Sequence, residues 1–267
     1  FEDKELFRDV TWTLFRQQHA FLVGPNGCGK TTLLKVILGQ QKPDGGSSEF
    51  GARVKVGYYD QTIGDLHDEK TVFEEVSDSY PRLTNTVVRT ALGAFLFRGD
   101  DVFKQIRVLS GGERARVALT KLMLSGANLL ILDEPTNHLD IPSKEALKDA
   151  LLSYDGTLLA VSHDRYFINR LADRILELNR DGITSVSGNY DDYLAFCEKR
   201  AVRSAPSPVS APERVSPREN EYVKKKAEQA AARKKQARLS RIEGDIAKNE
   251  AEMKTLSDLF ADPQISA

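Results

Sequence analysis

Gly24-Pro25-Asn26-Gly27-Cys28-Gly29-Lys30-Thr31-Thr32 lies between the apolar run Ala20-Phe21-Leu22-Val23 and the pattern Leu33-Leu34-Lys35-Val36-Ile37-Leu38. The run before it has the length and composition of a buried strand, and the pattern after it repeats with helical spacing. The order is therefore strand, glycine-rich turn, helix. The spacing G-x-x-x-x-G-K-T has a physical reason. Glycines let successive backbone N–H groups curl around phosphate oxygens, and the following helix points the positive end of its dipole at the same anion. Gly24, Pro25, Asn26, Gly27, Cys28, Gly29, Lys30, Thr31 and Thr32 are the candidate phosphate-binding residues. Lys30 would reach the β and γ phosphates of a nucleotide, and Thr31 would place a hydroxyl on Mg²⁺. A merely tight strand-to-helix turn could use the same residues, so the motif needs support from elsewhere in the chain.

Composition narrows the class. The 267 residues are 40% hydrophobic with a mean hydropathy of -0.40, enough for one large core or two modest ones. No apolar run approaches the roughly 18 residues of a membrane span, which reads as a soluble protein. Cys28 and Cys197 form neither a disulfide framework nor a metal-ligand spacing. No charged-then-apolar signal segment opens the chain. Both features fit a reducing, cytoplasmic setting. The net charge of -1 hides an uneven distribution, because residues 199–241 hold 13 Lys/Arg against 4 Asp/Glu while the last 26 residues are acidic. That asymmetry points to an interaction segment.

Along the chain, residues 5–15 alternate as a strand would, and Ala52 to Tyr59 alternates again after the turn Pro43-Asp44-Gly45-Gly46. From Thr71 to about Val108 the period becomes helical, broken by Pro81, Gly93 and Gly99, which predicts a small helical insertion over about 62–108. Leu109-Ser110-Gly111-Gly112-Glu113 opens a further helix to about Leu124, with Ser110 and Glu113 spaced as a capping box. Asn128 to Leu132 is a short continuous apolar run, read as a parallel strand covered on both faces and ending in Asp133-Glu134-Pro135. Acids at the carboxyl end of such a strand lie where α/β sheets bind ligands. Ser143 to Ser153 reads as helix, Thr157 to Val161 as a buried strand ending at Ser162-His163-Asp164, and Arg174–Leu178 and Ile183–Val186 as two strands around Arg180-Asp181-Gly182. A closing helix runs from Tyr190 to about Arg200. A flexible Ser/Pro-rich linker is expected over 201–218 and a long helix over 219–262. The second half of that helix places Leu239, Ile242, Ile246, Asn249, Met253, Leu256 and Phe260 in a 3-4 series, a coiled-coil seam.

Four elements thus share one chemistry: the phosphate loop, Gln61 after a strand, Asp133-Glu134 after the next, and His163 after a third. Their order resembles the ATP-binding cassette ATPases, whose signature sequence Leu109-Ser110-Gly111-Gly112-Glu113 also resembles, over residues 1 to about 200. A narrower resemblance is to the ABC-F group, soluble twin-cassette proteins that act on ribosomes. It rests on Asp133-Glu134-Pro135-Thr136-Asn137-His138-Leu139-Asp140, on Ser162-His163-Asp164-Arg165-Tyr166-Phe167, on Gly188-Asn189-Tyr190-Asp191-Asp192-Tyr193 and on the coiled-coil tail. A charged helix, rather than a second phosphate loop, follows the cassette, as in that group's carboxyl-terminal half.

The resemblance implies an α/β, ABC-type P-loop core with an inserted helical subdomain, and it implies roles. Asp133, with Thr31 and Gln61, would hold Mg²⁺. Glu134 would be the base that polarises the attacking water, and His163 would contact the γ-phosphate. Ser110, Gly111, Gly112 and Glu113 would serve a nucleotide held by a second cassette, Asp140 would cross the interface between the two, and Phe1 falls where the family stacks an aromatic on adenine. His19 and His67 have no such context and read as structural or exposed. Arg16-Gln17-Gln18-His19 departs from the family by lacking the glycine common before the first core strand. One phosphate loop and one signature make half of two sites, so a partner cassette is required. The abrupt start and the unpaired heptad seam lead us to expect a fragment whose amino-terminal half supplies it. The basic stretch suggests ribosomal RNA or tRNA as a further partner. The alternatives are the energising subunit of a membrane transporter, or a nucleotide-gated binding module with incidental turnover; the Asn-His-Leu-Asp stretch and the tail argue against the first, and Glu134 against the second.

Overall fold

Continuous apolar runs need cover on both faces, and the sheet supplies it. The computed structural model describes residues 5–60 and 66–204. Its strands are β1 (His19–Val23), β2 (Val56–Tyr59), β3 (Leu129–Asp133), β4 (Thr157–Val161), β5 (Arg174–Asn179) and β6 (Gly182–Ser187), and they form one sheet in the order β2-β3-β4-β1-β5-β6. The first five in that order are parallel, and β6 returns antiparallel on β5. The helices are α1 (Lys30–Ile37), α2 (Val72–Ser79), α3 (Asn85–Ala94), α4 (Gly111–Leu124), α5 (Ile141–Leu152), α6 (Arg165–Leu171) and α7 (Tyr190–Ser204). Side chains alternate across the pleat. Ala20 and Leu22, Ile131, Leu159 and Val161 meet α1 through Leu33 and Leu34 on one face. Phe21, Leu130, Leu132, Leu158 and Ala160 meet Leu147 and Leu151 of α5 and Phe167 and Ile168 of α6 on the other.

The helical insertion is present over the described part of its expected range. Thr71 and Glu74 cap α2 reciprocally, Thr84 caps α3, and two 3₁₀ turns, Gly99–Phe103 and Ile106–Val108, lead to α4. Ser110 and Glu113 make the expected capping box at α4.

Three readings of local structure need correction. Residues 5–15 form no strand among the described residues. Their alternation does sort the side chains, since Val10, Trp12 and Leu14 pack against the α1-side core, but a strand also needs a neighbouring ladder. Here Arg8 N donates to Arg180 O at 2.9 Å, a backbone link to the turn between β5 and β6 and not to a strand. The second alternating stretch is strand only from Val56, because Arg53 takes φ 62° and breaks the extended backbone. Finally, α6 was not anticipated. Its signal is Asp164 at an N-cap position before Phe167, Ile168 and Leu171, which are buried on one side of a helix of only 7 residues.

α7 continues to Ser204, so the first residues of the expected 201–218 linker are helical. The rest of that linker and the 219–262 helix lie outside the described residues. Among the described residues no helix is long and apolar enough to cross a membrane.

Candidate active site

The loop between β1 and α1 is built by close approach. Gly24 has φ +156°, and a Cβ there would stand 2.7 Å from Leu178 O on β5, so only glycine lets the loop leave the sheet at this point. Gly29 caps α1 in the left-handed region at φ 99°, and a Cβ on it would meet the Phe7 ring at 2.9 Å. No side chain makes a capping hydrogen bond at this helix N-terminus, which leaves its first N–H groups to other acceptors. Lys30 Nζ donates to Gly24 O at 3.0 Å and Pro25 O at 3.1 Å, which sets the ammonium inside the curl of the loop.

Parallel pairing of β1, β3 and β4 brings the remaining groups to the same carboxyl edge. Asp133 is buried at the end of β3. Burial pushes its carboxyl pKa up, a hydrogen bond from the Thr31 side chain and the charges of Lys30 and Lys35 oppose that rise, and neighbouring Asp60 adds to it. Glu134 leaves the strand at φ 52°, a strained value for a side-chain-bearing residue, while its N–H donates to Val161 O at 2.9 Å. It is only 8% exposed. His163 N donates to Glu134 Oε2 at 3.3 Å, and His163 Nε2 stands 3.2 Å from Glu134 Oε1, with the ring side chain 60% exposed. Burial raises the Glu134 pKa; His163, through its charge and its N–H, partly offsets the rise, and Asp133 reinforces it. The histidine is itself placed by its neighbours. Ser162 Oγ lies 3.3 Å from Thr136 Oγ1 and accepts from Asp164 N at 3.1 Å. Asp164 caps α6 by accepting from Phe167 N at 3.1 Å and takes Lys144 Nζ at 3.1 Å.

The residues present suit Mg²⁺. Thr31 and Asp133 offer two hard oxygen donors already joined by a hydrogen bond. Among the described residues no cluster of three or more His, Cys, Asp or Glu could hold a metal by itself. Mg²⁺ typically keeps several waters and binds through one or two carboxylates plus substrate phosphates.

The other predicted residues stand elsewhere. Ser110 N and Oγ donate to Glu113 Oε2 at 2.8 and 2.7 Å. Those bonds hold the Glu113 carboxyl below the usual carboxylate range. A Cβ on Gly112 would meet His138 O at 3.0 Å, so the signature helix abuts the turn leading to Asp140. Asp140 caps α5, accepting from Ser143 N at 3.1 Å, and hydrogen bonds from the Ser143 side chain and then its backbone lower its pKa. Among the described residues no hydrogen bond joins residues 110–113 to the 24–32 loop. Phe1 and Gln61 lie outside the described residues.

Sequence reasoning missed Phe7, which packs on the loop glycine, and Asp60, a second acid beside Asp133. Asp60 follows a strand just as Asp133 ends one, and that rule could have found it. The missing glycine before β1 has a structural counterpart: Gln17 itself adopts φ 61°, with its N–H donating to Thr157 Oγ1 at 3.0 Å.

A family profile described as ABC transporter matches residues 7–137. YdiF of Bacillus subtilis (strain 168) is 56% identical over 188 residues, 70% of this chain and 29% of that protein. ABC transporter F family member 5 of Arabidopsis thaliana is 42% identical over 196 residues, 73% of this chain and 28% of its own length. Energy-dependent translational throttle protein EttA of Escherichia coli (strain K12) is 40% identical over 199 residues, 73% and 36% of the two lengths. The chain thus spans about a third of the length of the curated relatives it matches. A solved ATP-binding subunit of an ABC transporter shares the fold with a TM-score of 0.63 at 22% identity, over 77% of this chain and 91% of that one. Residues 7–137 thus form a domain of the ABC transporter family, and the cassette resembles those of the ABC-F group.

Proposed function

We propose that the cassette binds ATP with Mg²⁺ and hydrolyses it to ADP and phosphate. The observation that carries this reading is the carboxyl edge of the sheet, where the buried Glu134 is paired with His163 beside the Thr31–Asp133 pair and the Lys30 loop. Phosphoryl transfer asks a protein mainly for positioning and charge stabilisation. The loop N–H groups and Lys30 bind the phosphates; Thr31, Asp133 and Gln61 hold the ion. Bound Mg²⁺ supplies charge stabilisation at the phosphate oxygens. Glu134 takes the proton of the attacking water, and burial that keeps its carboxylate poorly solvated makes it a better base. His163, exposed but tethered to Glu134, faces the γ-phosphate and orients that water. Phe1 stacks on the adenine.

Ser110 to Glu113 and Asp140 stand together on the α4–α5 side and make no hydrogen bond to the chain's own phosphate loop, which supports the reading that they complete a nucleotide site in a second cassette. Turnover should accordingly rise more steeply than linearly with protein concentration, and linear activity from a proven monomer would contradict the shared site.

The wider reading is a cytoplasmic twin-cassette factor acting on the ribosome, with the basic 199–241 stretch contacting ribosomal RNA or tRNA. It is supported by the similarity to EttA, whose name describes a translational throttle, and by the ABC-F motifs around Asp133 and His163. Cosedimentation with ribosomes tests it. Binding should require ATP or a non-hydrolysable analogue and be lost with ADP, and nucleotide-independent absence from the ribosomal pellet would reject it.

A further inference from the structure

Tyr58 Oη, on β2, is buried and has no hydrogen-bond partner among the described residues. A buried donor without an acceptor costs stability, so it calls for a reason. Its place in the sheet suggests one. β2 and β3 run parallel with Tyr58 opposite Ile131, and Asp133 follows Ile131 by two, so all three side chains lie on one face. That face is the one covered by α1, where Tyr58 and Ile131 pack in the same cluster as Leu33 and Leu34. Asp133 is therefore the diagonal neighbour of Tyr58, a span that a long side chain leaning along its strand can cross. The electrostatics agree. Burial pushes the Tyr58 phenol up to about 12, and the negative charges of Asp133 and then Asp60 push it the same way. The phenol is thus a neutral donor at neutral pH with two carboxylates near it. Asp133 is gripped from α1 alone, by a hydrogen bond from the Thr31 side chain and the charges of Lys30 and Lys35. A carboxylate has about four lone-pair sites, and one hydrogen bond leaves it able to turn.

We propose that Tyr58 is a positioning residue: its hydroxyl donates to the Asp133 carboxylate as that group turns to hold Mg²⁺, fixing the ligand from β2 while Thr31 fixes it from α1. The proposal rests on the reading that the chain binds ATP with Mg²⁺. Outer hydrogen bonds orient a ligating carboxylate, and losing such a partner typically costs 10- to 100-fold in metal affinity. A donor that the fold leaves unsatisfied gains its acceptor as the metal binds.

The test is Tyr58→Phe in the full chain, read by thermal melting without nucleotide and by ATP-dependent Mn²⁺ binding in electron paramagnetic resonance, with Mn²⁺ as the probe for Mg²⁺. Losing an unsatisfied buried hydroxyl should raise Tm by roughly 2–4 °C. Mn²⁺ affinity in the presence of ATP should fall about tenfold, while ATP affinity in EDTA should stay within about twofold of wild type. A merely structural hydroxyl would move Tm alone. Tyr59→Phe is the control: Tyr59 is buried in the cluster on the opposite face, and its loss should leave Mn²⁺ affinity unchanged. Asp60→Asn separates the two acceptors, because the effect of Tyr58→Phe should persist in that background. A lower Tm in Tyr58→Phe, an equal loss of Mn²⁺ affinity in Tyr59→Phe, or disappearance of the effect in Asp60→Asn would each overturn the proposal. Equal Mn²⁺ affinity in wild type and Tyr58→Phe would sink the proposal alone, whereas no ATP-dependent Mn²⁺ binding by wild type would sink the functional reading and the proposal together.

Discussion

Glu134→Gln keeps the shape of the side chain and an acceptor for His163 N but removes the charge that takes a proton from water. A positioned general base is worth about 10²- to 10⁴-fold, or about 2.7 to 5.4 kcal/mol of barrier at 1.36 kcal/mol per factor of ten. The structure places the expected effect in the rate and not in binding. Glu134 contacts His163 and the end of β4, whereas the phosphate loop is organised by Gly24, Gly29 and Lys30. Stability should not fall either. Burial raises the Glu134 pKa in the folded state, so folding favours the protonated form; its contribution is fully present below the unfolded value and is lost as pH rises through the folded one. At neutral pH a buried, incompletely compensated carboxylate is being replaced by a neutral amide. Single-turnover phosphate release, measured with a second cassette present, alongside ATP affinity and thermal melting, reads all three. Because the base must be ionised, wild-type hydrolysis should climb with pH through a value above the ordinary glutamate range and then level off, and the variant should lose that limb. Wild-type turnover in Glu134→Gln, or a collapse of ATP affinity with the fold intact, would refute the assignment.

Gln17→Gly should stabilise the fold by about 0.5 to 1 kcal/mol, the difference between relieving a left-handed residue at about 1 to 2 kcal/mol and the added unfolded-chain entropy of glycine; an unchanged or lower Tm would show that Gln17 is unstrained. Asp164→Ala removes the cap of α6 and the partner of Lys144, and should cost about 1 to 2 kcal/mol in denaturant unfolding, with hydrolysis falling more than ATP affinity because His163 adjoins the lost cap. Replacing Lys224, Lys225, Lys226, Arg233, Lys234 and Lys235 by Gln should weaken ribosome or RNA binding without altering ATP affinity. If the stretch makes about four phosphate contacts, the logarithm of wild-type affinity should fall with the logarithm of salt at a slope of roughly -3 to -4. An unchanged slope in the variant would mean that these charges are only a solvated face.

Sequence alone determined the local structure of the short segments. The loop from Gly24 to Thr32, the acids ending β3 and the cap at Ser110 were legible because each is local: backbone sterics, helix termini and strand ends confine which residues work there, and that information lies within a few positions. The apolar runs of β1, β3 and β4 likewise announced strands covered on both faces. Only the tertiary structure decided what depends on a distant neighbour. Residues 5–15 alternate as a strand does, yet they make none, because pairing is settled by what lies alongside and not by the pattern itself. α6, at 7 residues, repeats its apolar positions only once and is fixed by the core that Phe167, Ile168 and Leu171 enter. Gln17 takes the left-handed conformation that sequence would assign to glycine, held by Thr157 from a strand 140 positions away. The pairing of Glu134 with His163, the hydrogen bond of Thr31 to Asp133, and the burial of the Tyr58 hydroxyl near Asp133 all arise where chain segments far apart in sequence are packed together. Burial and proximity, which set pKa values, are properties of that packing and have no signature in any one stretch.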